Sequence, residues 1–449
     1  MKPSSKKTLS LPQEVTEILG LLRKHGFRGY VVGGAVRDLL LGTPVSDWDL
    51  ATDATPDRLL QIFPKVIPTG IRHGTVTIPC GTSQYELTTF RTDGDYGSQH
   101  VLNRSFVTPD IEEDLRHRDF TINAMAYDPL TETLIDPFHG QKDLTKRVIR
   151  AVEDPLSRFM EDGLRPYRAI RFFATLDNRI EGKTLKAIPR SLDKVRVASW
   201  ERVRDEILRI LETRHPSTAF ELMRKTGLLA ICLPELLEGY RKKHDLSGDI
   251  YHHLLATVDT APRRPILRLA CLLHGIGKAR VRRRLKTGYV FDGHEKVSAQ
   301  MAEAVAKRLR LSNHQRKYIG QLVENHGLPL QEKFDGPAMR RFLSRVDTDF
   351  LDDLFMLSIA SRRASWASRS ELHQLRRLRK WADQILTTGT PLTVSQLAIK
   401  GTTVKKILGI TEGVQVGHIL DQLLEVVLED PGKNNPQDLA ALVKRMGQR

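Results

Sequence analysis

The segment YVVGGAVRDLLLGTPVSDWDL, residues 30–50, restricts the fold more than any other part of the chain. It opens as an apolar, β-rich run, turns on Gly33 and Gly34, continues with the spacing of a short helix, and returns to a second strand that carries Asp47 and Asp49. Two carboxylates at i and i+2 on a strand share one face. Side by side they repel unless cations stand between them, which is the requirement of a site that binds Mg²⁺ through carboxylates and substrate phosphates. The two glycines let the backbone approach a polyphosphate and present N–H groups to it where a helix begins. Singly, a DxD pair is an ordinary strand edge and a GG an ordinary turn; combined in one strand–turn–helix–strand unit, they form a candidate active site.

The surrounding pattern predicts an α+β chain. Residues 11–150 mix an amphipathic stretch (Val15 to Lys24) with strand-like runs such as GTVTIPC (Gly74 to Cys80) and YELTTF (Tyr85 to Phe90). From about Asp154 onward helical periodicity takes over, as in SWERVRDEILRILE (Ser199 to Glu212) and HEKVSAQMAEAVAKRLRL (His294 to Leu311), so the remaining two thirds are expected to be all-α. At 449 residues the chain is long enough for two to four domains. The expected division is a head over 11–150, a helical neck over 151–215, and a helical body and tail over 216–449.

Charge narrows the class of partner. Lys and Arg number 70 against 54 Asp and Glu, a net charge of +16, and 40% of residues are hydrophobic, which fits a folded protein with a polyanionic partner. Six of the nine residues from Lys278 to Lys286 are basic, and Arg362 to Lys380 holds seven basic residues against the single acid Glu371. Either stretch alone could be a solvated face; together they predict a surface that follows a phosphate backbone. The basic start MKPSSKK leads into no apolar signal core, and no span approaches the ~20 apolar residues of a membrane helix, so a cytoplasmic protein without a membrane anchor is expected. Cys80, Cys232 and Cys271 are too few and too scattered for a disulfide framework.

The spacing of GG, twelve residues and DxD resembles the polymerase-β nucleotidyltransferase signature, and GGAVRDLLLG…DWDLAT is similar to the form in class II tRNA nucleotidyltransferases and bacterial poly(A) polymerases. The likeness continues in order along the chain. RDFTINAM (Arg118 to Met125) resembles the ribose-recognition motif, which implies that Arg118, Asp119 and Asn123 contact sugar and triphosphate; His117 stands where the family often has a second arginine. DPFHGQKDL (Asp136 to Leu144) resembles the hinge between head and neck, MEDGLRPYRAIRFFA (Met160 to Ala174) the nucleotide-selecting helix, with Arg168 among its nucleotide contacts, and ERVRDEI (Glu201 to Ile207) the helix that braces it.

The selecting segment also has a physical reading of its own. Asp162 and Arg165 are three apart, which predicts that they share a helix face and present an acceptor beside a fork of donors. Cytosine and adenine each show an amino donor beside a ring-nitrogen acceptor, whereas uracil and guanine show a carbonyl beside an N–H. An Asp and Arg pair would therefore accept C and A and leave unpaired groups opposite U or G. The plain alternative is a helical ion pair, Glu161–Arg165 at i,i+4, contributing about 0.2–0.5 kcal/mol.

The superfamily commonly carries a third carboxylate, for which Glu86 in YELTTFR is the candidate; the alternative is a charge alternating outward on an edge strand. Arg91 to Leu115 resembles the flexible loop needed to switch from adding C to adding A, with QHVLN (Gln99 to Asn103) replacing its RRPD-like portion. DIYHHLL, LLHGIGKA, FDGHE and VENHG, within about 249–330, resemble an HD phosphohydrolase domain with His253, His274, His294 and His326 as its histidines. Gly275 stands in place of the defining aspartate, so a structural remnant without hydrolase activity is expected. Pro391 to Pro431 resembles the tail that grips the tRNA body.

The resemblance implies a template-independent tRNA nucleotidyltransferase that adds or repairs the 3′ CCA from CTP and ATP. In it Asp47, Asp49 and Glu86 are catalytic, the first two binding Mg²⁺, and Gly33, Gly34 and Arg37 cradle the phosphates. The rivals are an A-adding half-enzyme working beside a CC-adding paralogue, a poly(A) polymerase, a catalytically silent RNA-binding protein and an HD-type hydrolase.

Overall fold

The computed structural model describes residues 5–6, 9–70, 74–81, 83–90, 110–245, 248–286, 288–328, 335–365, 368–410 and 413–447. The chain divides into two compact units, Met1–Cys232 and Leu233–Arg449.

The first unit is built on a mixed sheet. Its strands are Ser5–Lys6 (β1), Gly29–Val32 (β2), Asp49–Thr52 (β3), Ile67–Gly70 (β4), Thr75–Cys80 (β5), Ser83–Thr89 (β6), Ala126–Asp128 (β7) and Thr133–Ile135 (β8), arranged β1-β8-β7-β2-β3-β6-β5-β4. Neighbours run antiparallel except β3 and β6, which are parallel with Asp49 opposite Glu86. The helices of this unit are Gln13–Lys24 (α1), Gly34–Leu41 (α2), Pro56–Ile62 (α3), Ile111–Arg116 (α4), Gly140–Thr145 (α5), Pro155–Glu161 (α6), Arg165–Leu176 (α7), Gly182–Ala187 (α8), Leu192–Val195 (α9), Trp200–Leu211 (α10) and Pro216–Thr226, followed by a short turn of helix at Leu228–Cys232.

Strand β2 and the middle of β3 are apolar because both their faces are covered, Asp49 and Thr52 standing at the two ends of β3. Val31 and Leu50 point to a core that receives Val15, Ile18, Leu19 and Leu22 from α1, residues at the i, i+3, i+4, i+7 spacing of an amphipathic helix. Tyr30, Val32 and Ala51 point the other way, onto Ile111 and Leu115 of α4 and onto Phe90. Asp49, two residues before Ala51, shares this second face, and so does Glu86 across the ladder.

Helices dominate after residue 150, with a correction to the all-α expectation. Val148–Ile149 pairs in parallel with Arg179–Ile180, and the second unit holds two antiparallel ribbons, Lys243–Asp245 with Gly248–Asp249 and Arg283–Leu285 with Gly288–Val290. Such two- and three-residue strands leave no measurable period-2 pattern. In the second unit Ile250–Thr260, Pro265–Leu273, His294–Arg308, Asn313–Asn325 and Leu351–Ala364 pack together. Gly401–Leu408, Gly413–Glu429 and Pro436–Met446 enclose a separate apolar cluster around Val404, Leu423 and Leu439. Among the described residues, no helix is long and apolar enough to cross a membrane.

Candidate active site

Gly33 is where the head's polar groups meet. It follows β2 with φ +70°, a conformation that a side chain strains, and a Cβ there would stand 2.9 Å from Arg118 Nη1 and 3.3 Å from Asp49 Oδ2. The GG turn, the second aspartate of the DxD pair and the first arginine of RDFTINAM are thus brought together, although 85 positions separate Gly33 from Arg118. Helix α2 starts at the next residue, so its amide dipoles are directed at the same place.

The carboxylates differ from one another. Asp47 precedes β3 rather than lying on it, a correction to the expected strand; it is exposed and accepts a bond from Ser46 Oγ at 2.9 Å. Burial pushes the Asp49 carboxyl up and Asp47 adds to the shift, against the opposing pull of Arg118, Arg168 and Arg37. Glu86 is exposed and also raised, by partial burial first and then by Asp49 and Asp47. Asp47 thus disfavours the charge on Asp49, and both disfavour the charge on Glu86, which is the electrostatic character of a cation site. Among the described residues no three His, Cys, Asp or Glu side chains are gathered about one metal position. Even so, the raised Asp49 and Glu86 carboxyls and the Asp49–Glu86 register fit a divalent ion shared between carboxylates and a polyanionic ligand.

A chain of charge-assisted bonds backs this face. Arg37 donates from Nε and Nη2 to Asp38 at 2.8 and 2.9 Å and from Nη1 to Asn123 Oδ1 at 2.7 Å. Asn123 donates to Asp119 Oδ1 at 3.0 Å, and Arg168 Nε to Asp119 Oδ2 at 2.7 Å. Burial alone would raise the Asp119 carboxyl, which is only 7% exposed, but Arg168 and the bond from Asn123 outweigh it and hold it at about 2. Arg171 donates to Glu206 of α10 at 2.6 Å, and Arg37, Arg168 and Arg171 surround the Phe172 ring at 5.2, 5.6 and 4.1 Å from its centroid.

The selecting segment departs from expectation. Asp162 and Arg165 do not share a helix face, because the helix stops at Glu161 and restarts at Arg165. Two residues impose the break. A Cβ on Gly163 would lie 2.2 Å from the Lys194 carbonyl oxygen, and Pro166, lacking an N–H, is accommodated in the first turn of α7. Asp162 Oδ1 accepts from the Leu164 amide in the gap, while Arg202 grips both carboxylate oxygens at 3.2 and 2.7 Å. Arg165 is only 4% exposed: it donates to Glu161 Oε2 (2.7 Å) and to the carbonyls of Arg158 (3.0 Å) and His117 (2.7 Å). The i,i+4 ion pair offered as the plain alternative is therefore present, and Arg165 also ties the neck to the end of α4. The His117 ring is buried between Glu113 and Arg158, with Nε2 3.4 Å from Glu113 Oε1 and Nδ1 3.4 Å from Arg158 Nη1.

Sequence reasoning did not single out Asp114, which holds Arg118 at 3.0 Å, nor Arg202, Glu206 or Phe172. The i,i+4 spacing of Asp114 and Arg118 was the available signal for the first; Arg202 and Glu206 lay within a motif read only as a bracing helix. Of the segment Arg91 to Leu115, expected as a flexible loop, residues 91–109, including Gln99 to Asn103, lie outside the described residues, and Ile111 to Leu115 belong to helix α4, a correction to that expectation.

Residues 29–150 match the family described as the poly A polymerase head domain. Residues 179–239 match the probable RNA and SrmB-binding site of polymerase A, and residues 250–386 match the HD domain. The chain is 44% identical over 226 residues to the CCA-adding enzyme of Geobacillus thermodenitrificans, an alignment covering 50% of this chain and 55% of that one. It is 43% identical over 211 residues to that of Lactobacillus helveticus, covering 47% and 53%. The chain thus spans about half the length of these relatives. The fold is similar to that of the Bacillus stearothermophilus CCA-adding enzyme in complex with CTP, with a TM-score of 0.71 and 27% identity over 97% of each chain.

Proposed function

We propose that this chain is a template-independent nucleotidyltransferase that adds or repairs the 3′-terminal CCA of tRNA from CTP and ATP, releasing pyrophosphate, in the cytoplasm. The observation that carries the reading is the meeting of Asp49, Arg118 and the GG turn at Gly33, with Glu86 in register beside Asp49. The names of the relatives and of the CTP-bound structure point to the same reaction.

Asp47 and Asp49, with Glu86 beside them, would hold Mg²⁺, which when bound lowers the pKa of a primer 3′-hydroxyl and offsets the charge of the triphosphate. The chain's own residues supply the rest. The Gly33 and Gly34 backbone, Arg37 and Arg118 take the phosphates, and Arg118 is kept in position by Asp114. Asp119, fully ionised and oriented by Asn123 and Arg168, serves as the acceptor for a ribose hydroxyl. For the base, Arg202 fixes Asp162 as an ionised acceptor, and Arg165 reads a ring nitrogen by exchanging it for Glu161. Exposed cations of the second unit, Arg376, Arg377 and Lys380 on one helix and Arg284 and Lys286 on a ribbon, offer contacts to an RNA backbone rather than to bases.

The test uses purified protein, Mg²⁺ and two tRNA transcripts, one lacking CCA and one ending in CC, with CTP, ATP or both, resolved on a gel. Two C additions followed by one A and a halt are expected. Extension of the CC-ending transcript alone would make this an A-adding half-enzyme, a ladder of A a poly(A) polymerase, and no extension would overturn the reading.

A further inference from the structure

The second unit contains a histidine cage that the proposed reaction does not use. The His253 and His274 Nε2 atoms lie 3.3 Å apart, and Ser361 Oγ stands 3.4 and 3.1 Å from them. His274 is packed edge-on to His326, His326 to His294, and His244 stacks on His253 with centroids 4.3 Å apart. Three of the rings are fixed by their Nδ1–H groups, which donate to the carbonyls of Cys271 (2.6 Å), Phe291 (2.8 Å) and Val323 (2.7 Å), leaving their Nε2 atoms as bare acceptors. In an HD domain such a set would be completed by a metal and by the aspartate that follows the second histidine.

Here the completing groups are different. A side chain at Gly275 would lie against Leu254 and Lys278: a Cβ there would stand 3.1 Å from Leu254 Cδ2, a tight contact, and 3.4 and 3.6 Å from Lys278 Cδ and Cε. Lys278 runs past this point into the cage. It is 8% exposed, its Nζ donates to His244 Nε2 at 2.8 Å, and it stands 5.7 Å from the centroid of the Phe291 ring, a pairing suited to a cation. A buried ammonium needs acceptors around it, and neutral imidazoles with bare nitrogens are such acceptors.

We infer that Lys278 is the built-in cation of this cage, standing in place of a divalent metal, and that the second unit folds without one. The cage then has the same role as a metal site in uniting the Ile250–Thr260, Pro265–Leu273, His294–Arg308 and Leu351–Ala364 helices, but offers no Lewis acid. Burial, with Lys278 and neighbouring rings adding to it, pushes the His253 and His274 rings well below their ordinary range and the His326 ring to about 3, so all three stay neutral as acceptors at physiological pH. Among the described residues His294 Nε2 is buried with no hydrogen-bond partner, so an added metal would find a bare ring nitrogen there.

The experiment has two measurements on the full-length chain. In the first, the wild-type protein is titrated with Co²⁺ and followed by visible absorption. No stoichiometric ligand-field bands and no change in Tm with EDTA are expected; one equivalent of Co²⁺ giving bands that vanish in His253→Gln would overturn the inference. In the second, Lys278→Met keeps the length of the side chain and removes its charge. A fall in Tm of roughly 5–10 °C is expected from emptying a buried polar network; an unchanged Tm would overturn the inference. Should the variant fail to fold, the Co²⁺ titration decides alone.

Discussion

The two polar constellations of this protein differ in how far they satisfy themselves. At Gly33, burial and Asp47 raise the Asp49 carboxyl, burial with Asp49 and Asp47 raises Glu86, and the arginines near Asp49 only partly offset its shift. In the histidine cage, ring N–H groups meet carbonyls, hydroxyls meet ring nitrogens, and a buried lysine donates to His244. A constellation that leaves like charges in tension gains from a ligand. One whose donors and acceptors are largely matched within the chain gains little. The same residue types that signal chemistry in a sequence can therefore end in either condition.

The contrast can be broken most forcefully at the head. Asp49→Asn should lower nucleotide incorporation by roughly three orders of magnitude, since the divalent ion is expected to stabilise the transition state by several kcal/mol. It should leave the melting temperature unchanged or higher, because a strained charge is removed. A fall in both activity and Tm would show that Asp49 is satisfied within the chain, and the comparison would fail.

Next in size is Arg165→Ala. Emptying a buried guanidinium that holds Glu161 and two carbonyls should cost about 2–4 kcal/mol in urea unfolding. If Arg165 also reads the base, discrimination against UTP should weaken in the protein that remains folded. Stability loss with intact discrimination would assign Arg165 to the neck junction alone.

Asp119 tests the satisfied part of the head. Its folded pKa, about 2, lies below the ordinary carboxylate value, so its ionisation stabilises the fold above pH 4 and that contribution is lost as pH falls toward 2. Asp119→Asn should cost about 2 kcal/mol at neutral pH and flatten the acid limb of a stability–pH curve. The opposite sign is expected at Glu86, whose raised pKa means that its charge disfavours the fold at neutral pH. Glu86→Gln should stabilise by less than about 1 kcal/mol, given its exposure, while slowing incorporation.

Much of this was legible because it is local. The GG turn, the helix after it and the strand after that are consecutive, and turn chemistry and side-chain period act over a few residues. The amphipathic pattern of α1 and the missing aspartate at Gly275 were equally plain. The selecting segment was misread where a local rule met a distant constraint: nothing near Gly163 in sequence reveals that the Lys194 carbonyl stands against it, so one helix was expected where two occur.

The sequence by itself determined which groups the chain has available and which can be neighbours within a turn of helix or a step of strand. Only the tertiary structure decided that Glu86 stands opposite Asp49, that Arg118 closes on Gly33, that Arg165 is absorbed into the neck and that Lys278 enters the histidine cage. The physical reason is one of range. Propensity and periodicity decay within a few residues, whereas the free energy of a charge depends on every dipole and charge within several ångströms, whatever its place in the chain.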